Sequence, residues 1–263
     1  MKLNLYQIDA FTDKIFGGNP ACVVPLESWL PDEILLKIAQ ENAVPETAFY
    51  VVNDKRVHLR WFTPEIEMDL CGHATLATAH TLKSILNYPE NTIVFDTLSG
   101  ELIVTVDKDV YTLNFPSRKP VPAELPEIIR DSLNIQPKAI LKSRDYVLVY
   151  ETEQEIKDIV IDRQTFDKIN LDPGGVIVTA KGTHCDFVSR FFTSQSSILE
   201  DPVTGSAHCS LIPYWSEQLG KKEMHAKQLS EREGTLYCVD NGDRVLISGK
   251  AKTYSTGTCW IEQ

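Results

Sequence analysis

Two stretches of this 263-residue chain put acids, a glycine and a run of small residues in the same order. In the later one, Glu200-Asp201-Pro202-Val203-Thr204-Gly205-Ser206 closes a loop, and a small, apolar run from Ala207 to Leu219 follows. Glycine at the mouth of a helix lets the backbone come close to a ligand. The free amides of that first turn converge on one spot and favour an anion there. Gly205, Ser206 and the neighbouring amides are thus candidates to hold a carboxylate and to stabilise an enolate-like anion. Asp201, at the edge of the turn, can cap it or do acid–base work.

The earlier stretch repeats the pattern. Leu59-Arg60-Trp61-Phe62-Thr63 matches Ser189-Arg190-Phe191-Phe192-Thr193, and Glu67-Met68-Asp69-Leu70-Cys71-Gly72-His73-Ala74 leads into a second small-residue helix. His73 beside Gly72 can donate to a substrate oxygen or relay a proton. The commoner fate of a lone histidine there is packing in the first helical turn. Cys71 offers a thiol, which is equally a small buried residue. Two copies suggest a duplicated lobe, with a ligand held between two helix N-termini.

These groups need scaffolds. Leu3–Asp9 alternates and reads as a strand. Gly17-Gly18-Asn19-Pro20 is turn chemistry before the apolar strand Ala21–Val24. A helix with the stripe Ile34, Leu35 and Ile38 follows Pro31. Ala48–Val52 and Val57–Phe62 read as strands, and Gly72 to about Leu86 as a helix narrow enough to be buried. Thr92–Asp96, Gly100–Val106 and Tyr111–Phe115 are further strands. Pro116–Pro126 is the candidate linker, giving an N-terminal lobe of 1–115 and a C-terminal lobe of 116–263, with the strand near 252–263 free to return to the first lobe. In the second lobe, Pro173-Gly174-Gly175 turns into the strand Val176–Ala180, and Asn241-Gly242 makes a hairpin turn. Pro213 inside the second small-residue helix removes its own amide bond to the Cys209 carbonyl and predicts a kink or an irregular turn.

Bulk properties narrow the function. The formal charge is −11 with no basic run, which argues against nucleic acid and anionic membrane surfaces. The six cysteines contain no CxxC pair, and the N-terminus lacks a signal-peptide block, as in a reduced cytoplasmic protein. His184-Cys185 and His208-Cys209 lack the spacing of a zinc site, so no metal is expected. No GxGxxG, Walker A or GxSxG motif is present.

Taken together, FTDKIFGGNPACVV, PETAF, RWFTPEIEMDLCGHATLATAH and EDPVTGSAHCSLIPYW resemble the phenazine-biosynthesis (PhzF-like) isomerase family, in that family's order along most of the chain. The resemblance implies an α+β, diaminopimelate-epimerase-like fold: two pseudo-symmetric lobes, each a curved, mostly antiparallel sheet wrapped around a central helix. It also implies a homodimer, a small carboxylic-acid substrate and no cofactor. Carried over by position, Glu46 of PETAF matches the family's acid/base glutamate, and His73 and Asp201 its supporting polar pair. Gly72, Ala74, Gly205 and Ser206 match the helix mouths that hold substrate, and Asn19 a loop residue at the cleft. Pro45 departs from the pattern, where a small polar residue is expected.

The chemistry this implies is movement of a proton between two carbons of an unsaturated or cyclic acid by one base, Glu46, that takes the proton and returns it elsewhere. A carboxylate in a dry cleft suits that task. Read as a bare residue, Glu46 is equally a surface cap on the strand that follows. Two other classes stay open. An epimerase of this fold needs a thiol at each helix mouth; Cys71 stands at the first, but DPVTGS has none and Cys209 lies a turn further in. A non-enzymatic protein could hold a small acid, or a protein partner, without chemistry.

Overall fold

A computed structural model describes residues 1–53, 56–171 and 174–262. The chain forms two compact units, Met1–Asn114 with Ile247–Gln263, and Phe115–Leu246. Both are α+β, with many strands and few helices.

The first unit opens with β1 (Lys2–Ala10) and β2 (Asn19–Leu26), an antiparallel pair. Helix α1 (Asp32–Asn42) buries Leu35, Ile38 and Ala39 and ends at Ala43 in the left-handed region. β3 (Glu46–Asn53) then runs parallel to β2, with Ala21 opposite Glu46. β4 (Arg56–Phe62) pairs antiparallel with β3 and with the short β5 (Glu67–Met68).

Helix α2 (Gly72–His80) is buried at all nine residues. Alanines keep it narrow, and its buried threonines, with Thr81 just after it, need no outside partner. Thr75, Thr78 and Thr81 donate their hydroxyls one turn back, to the carbonyls of Cys71, Ala74 and Ala77. The sequence pattern runs to Leu86 as one helix. In the structure Thr81–Ile85 is a π-helical turn, and the Leu86 amide reaches back five residues to Thr81. β6 (Thr92–Thr97) lies parallel to β4, and β7 (Gly100–Asp107) and β8 (Val110–Pro116) continue antiparallel. β8 alternates strictly between buried and half-buried positions, as a strand with one face on a core must.

In the second unit β9 (Val121–Pro122) pairs with β10 (Ala139–Lys142), and helix α3 (Glu127–Ser132) lies between them in sequence. β11 (Tyr146–Val149) is antiparallel to β10. Helix α4 (Glu153–Asp158) begins with a capping box between Thr152 and Glu155, and α5 (Arg163–Phe166) is one turn. β12 (Val176–Lys181) is parallel to β11, and β13 (Phe187–Phe192) antiparallel to β12. Helix α6 (Gly205–Leu219) ends at Gly220, whose positive φ suits glycine. β14 (Glu223–Gln228) is parallel to β13, and β15 (Gly234–Asn241) antiparallel to β14. Gly242 and Asp243 separate β15 from β16 (Arg244–Gly249), so the turn sits one residue later than the Asn241-Gly242 expected, with Gly242 at positive φ. Back in the first unit, β17 (Ala251–Trp260) pairs antiparallel with β1. Of the expected turn Pro173-Gly174-Gly175, Pro173 lies outside the described residues, as does Gln263.

Both units follow one plan. From β17–β1 through β6–β7, and from β9–β10 through β14–β15, the pairings run in one succession: two antiparallel, then parallel, antiparallel, parallel and antiparallel. The sequence repeat survives in atomic detail. Arg60 grips Glu67 with two bonds of 2.7 Å, and Arg190 grips Glu200 with bonds of 2.7 and 2.8 Å. Each guanidinium also covers the ring two residues on, Phe62 at 5.1 Å and Phe192 at 4.9 Å. Pro213 sits inside α6 as expected, and the Cys209 carbonyl it leaves unpaired is taken by the Arg118 amide at 2.9 Å.

Candidate active site

Glu46 is the first residue of β3 and Asn19 the first of β2. Because these strands are parallel, with Ala21 opposite Glu46, both residues stand at the same end of the sheet. Asn19, matched by resemblance to a loop residue, is part of a strand and fully buried. Gly18 before it has φ +62°, and a Cβ there would meet the Ala10 carbonyl oxygen at 2.0 Å, so only glycine lets the chain enter β2 at this point.

The first turn of α2 brings His73 to that end. Its Nε2 lies 3.0 Å from Glu46 Oε2, and its Nδ1 lies 3.1 Å from the Asn19 amide nitrogen and 3.6 Å from Cys71 Sγ. The His73 side chain is 3% exposed and that of Glu46 15%. Glu46 and His73 stand at ion-pair distance without hydrogen-bond alignment, and neither Oε2 nor Nε2 has an aligned partner. Buried polar atoms left so are uncommon and call for an explanation.

Electrostatics follow from burial and neighbours. Burial disfavours the His73 imidazolium, yet the acidic groups of Cys71 and Glu46 outweigh it and hold the ring well above the ordinary histidine value. Burial pushes the Cys71 thiol up to about 11, so at neutral pH it is a thiol. The Asn19 carboxamide suits either state of the ring: its nitrogen donates to a bare Nδ1, and its oxygen can accept from a protonated one. In both states Nε2 carries a hydrogen on the side of the ring nearer Glu46, but out of line with Oε2.

Glu46, Cys71 and His73 also have ligand-capable atoms within 4.8 Å of one another. Nδ1 of the ring faces Asn19 and Nε2 faces Glu46, so a cation binding the imidazole would have to displace one of them.

The second unit carries Asp201, Gly205 and Ser206. Gly205 is buried and Ser206 half-buried, and both open α6. Thr204, the N-cap of α6, makes no side-chain cap bond, and Asp201 lies three residues before it. Asp201 Oδ2 accepts the Thr204 hydroxyl at 2.5 Å. His208 Nδ1 donates to the Thr204 carbonyl at 2.8 Å, and burial pushes His208 down to about 4. Gly72 and Ala74 are buried in the first turn of α2. Sequence reasoning missed Thr204 as a partner of Asp201, although a threonine three residues after an aspartate at a helix start is a legible signal.

Comparison with known proteins agrees with this architecture. The family model described as "Phenazine biosynthesis-like protein" matches residues 8–257. The chain belongs to that family. An "uncharacterized isomerase" of Pseudomonas aeruginosa is 46% identical over 259 residues, covering 98% of this chain and 99% of that protein. A phenazine biosynthesis-like domain-containing protein of Bos taurus is 36% identical over 293 residues, covering 98% and 99%. The crystal structure of a phenazine biosynthesis protein of the PhzF family from Enterococcus faecalis superposes with a TM-score of 0.94 at 42% identity, covering 99% of this chain and all of that one. A hydroxyproline epimerase from Agrobacterium vitis shares the fold at 9% identity, with a TM-score of 0.60 over 98% of this chain and 92% of that one. These likenesses support an isomerase-type function. Among the described residues, no helix is long and apolar enough to cross a membrane.

Proposed function

We propose that this phenazine biosynthesis-like family member is a cofactor-independent isomerase that moves a proton between carbons of a small unsaturated or cyclic carboxylic acid. The observation that carries the reading is the buried approach of Glu46 Oε2 to His73 Nε2 at 3.0 Å without hydrogen-bond alignment. A carboxylate there can leave the ring for a substrate C–H at little cost.

In the proposed reaction Glu46 takes a proton from carbon. The C–H electron pair delocalises through the conjugated system into the acid's carboxyl group. Glu46 then gives the same proton to a different carbon, so the reaction is balanced without oxidant, reductant or metal. His73 stabilises Glu46 as the carboxylate before transfer and faces it throughout. Asp201 and the first-turn amides of α6, with Ser206, bind polar groups of the acid. The protein is proposed to act in the cytoplasm as a homodimer.

Thiol chemistry is the weaker reading. Burial pushes Cys71 up to about 11 and Cys209 up to about 12, so neither is a thiolate base at neutral pH. Uptake of carbon-bound deuterium from heavy water, with and without the substitution Glu46→Gln, tests the proposal.

A further inference from the structure

A chain of hydrogen bonds stands behind the mouth of α6. Gln228, the last residue of β14, is fully buried. Its Oε1 accepts the Thr204 backbone amide at 2.8 Å. Its Nε2 donates to the Asp201 carbonyl oxygen at 2.8 Å and to Thr204 Oγ1 at 3.2 Å. Thr204 Oγ1 in turn donates to Asp201 Oδ2 at 2.5 Å.

The chemistry of these groups fixes the direction of every bond. A backbone amide only donates, so Gln228 must present its oxygen to Thr204 N. Its nitrogen is then left facing the Asp201 carbonyl and Thr204 Oγ1. A carboxamide nitrogen only donates, so Oγ1 receives there, and its own hydrogen is free for the Asp201 carboxylate. Both donors and the acceptor of a fully buried carboxamide are engaged on two residues, Asp201 and Thr204. Leaving any of them unpaired would cost more than a surface bond.

We propose that Gln228 is a positioning residue: through Thr204 it fixes how Asp201 presents its carboxylate, and it anchors the backbone from which the first-turn amides of α6 project. The inference rests on the reading in which Asp201 and this helix mouth bind the substrate acid. The alternative is a staple that only ties β14 to the loop before α6.

Three substitutions separate the two. Gln228→Glu keeps the shape and the oxygen that receives Thr204 N, but replaces the donor with an acceptor. The Thr204 hydroxyl then turns to the introduced carboxylate and away from Asp201. Thr204→Val keeps shape and deletes the hydroxyl, whereas Thr204→Ser keeps the hydroxyl. With an acid that the wild type labels in heavy water, kcat/KM is expected to fall about 10- to 100-fold in Gln228→Glu and Thr204→Val, and Thr204→Ser to stay within about threefold of wild type. Lower melting temperatures with unchanged kcat/KM would overturn the proposal in favour of the staple.

Amide hydrogen exchange gives a readout that needs no substrate. Exchange at the amides of residues 203–206 is expected to rise about tenfold or more in Gln228→Glu, with the rest of α6 protected as before. A uniform rise across α6, or none, would overturn the positioning role. Failure of the wild type to label any acid would count against the isomerase reading, and exchange would still show whether Gln228 holds residues 203–206.

Discussion

Asn19 places its amide nitrogen 3.1 Å from Nδ1 of His73, on the side of the ring opposite Glu46. A carboxamide can turn to serve a neutral or a charged ring, so His73 can change charge without losing its partner. A carboxylate can only accept. Asn19→Asp should therefore hold His73 as the imidazolium to higher pH than in the wild type, and slow proton return by about 10-fold or more. NMR titration of the His73 ring, beside kcat against pH, checks both. An unchanged His73 titration would contradict the assignment of Asn19 as its orienting partner.

The paired arginines should matter for stability. The Arg190 side chain is 14% exposed, grips Glu200 through two bonds, and reaches the carbonyls of Ile156 and Ile159 at 3.1 and 2.8 Å. Removing one partner of such a pair leaves the other's charge and two carbonyls unserved. Arg190→Ala is expected to cost about 3 kcal/mol in urea unfolding of the second unit. A cost below about 1 kcal/mol would mean the pair is solvated in solution.

Two buried histidines contribute to acid sensitivity. Burial, aided by the charge of Lys252, pushes His80 down to about 4, and burial pushes His208 to about 4. His80 is held neutral between Tyr111 and Thr253, at 3.0 and 2.9 Å. Their folded values lie below the unfolded value near 6.5, so between these limits the unfolded chain binds more protons. Stability is thus full above about 6.5 and lost as the pH falls toward about 4. His73 is raised, and its contribution runs the other way, present at low pH and lost as the pH rises through its folded value. Denaturant unfolding at pH 7 and pH 5 should show a loss on the order of 2 kcal/mol, reduced by His208→Gln. Equal stability at both pH values would contradict neutral burial of these rings.

Much of the fold was legible because the duplication keeps local chemistry. The Arg–Phe–Thr strand ends and the acid–glycine loops recur in sequence, and the structure repeats their ion pairs and strand order. The narrow face of α2 and the missing bond at Pro213 were likewise local properties. The partnership of Asn19 and His73 was not legible, because it depends on the parallel register of β2 and β3 and on where α2 begins, 54 residues away. β14 was overlooked although its residues alternate between buried and half-buried, and Gln228 with it, since a lone glutamine at a strand end carries no local signal. The π-helical turn after His80 was hidden as well, because nothing in Thr81–Ile85 departs from helix-forming composition.

The central claim is that Glu46 carries a proton between carbons. The most direct measurement incubates wild type and Glu46→Gln with pools of small unsaturated and cyclic acids in heavy water and reads carbon-bound deuterium by mass spectrometry. The account predicts label in one or more acids with wild type, and its loss by about 1,000-fold or more in Glu46→Gln with the fold intact. Label that persists in Glu46→Gln would contradict the assignment and move the base elsewhere, with Cys71 the first group to replace.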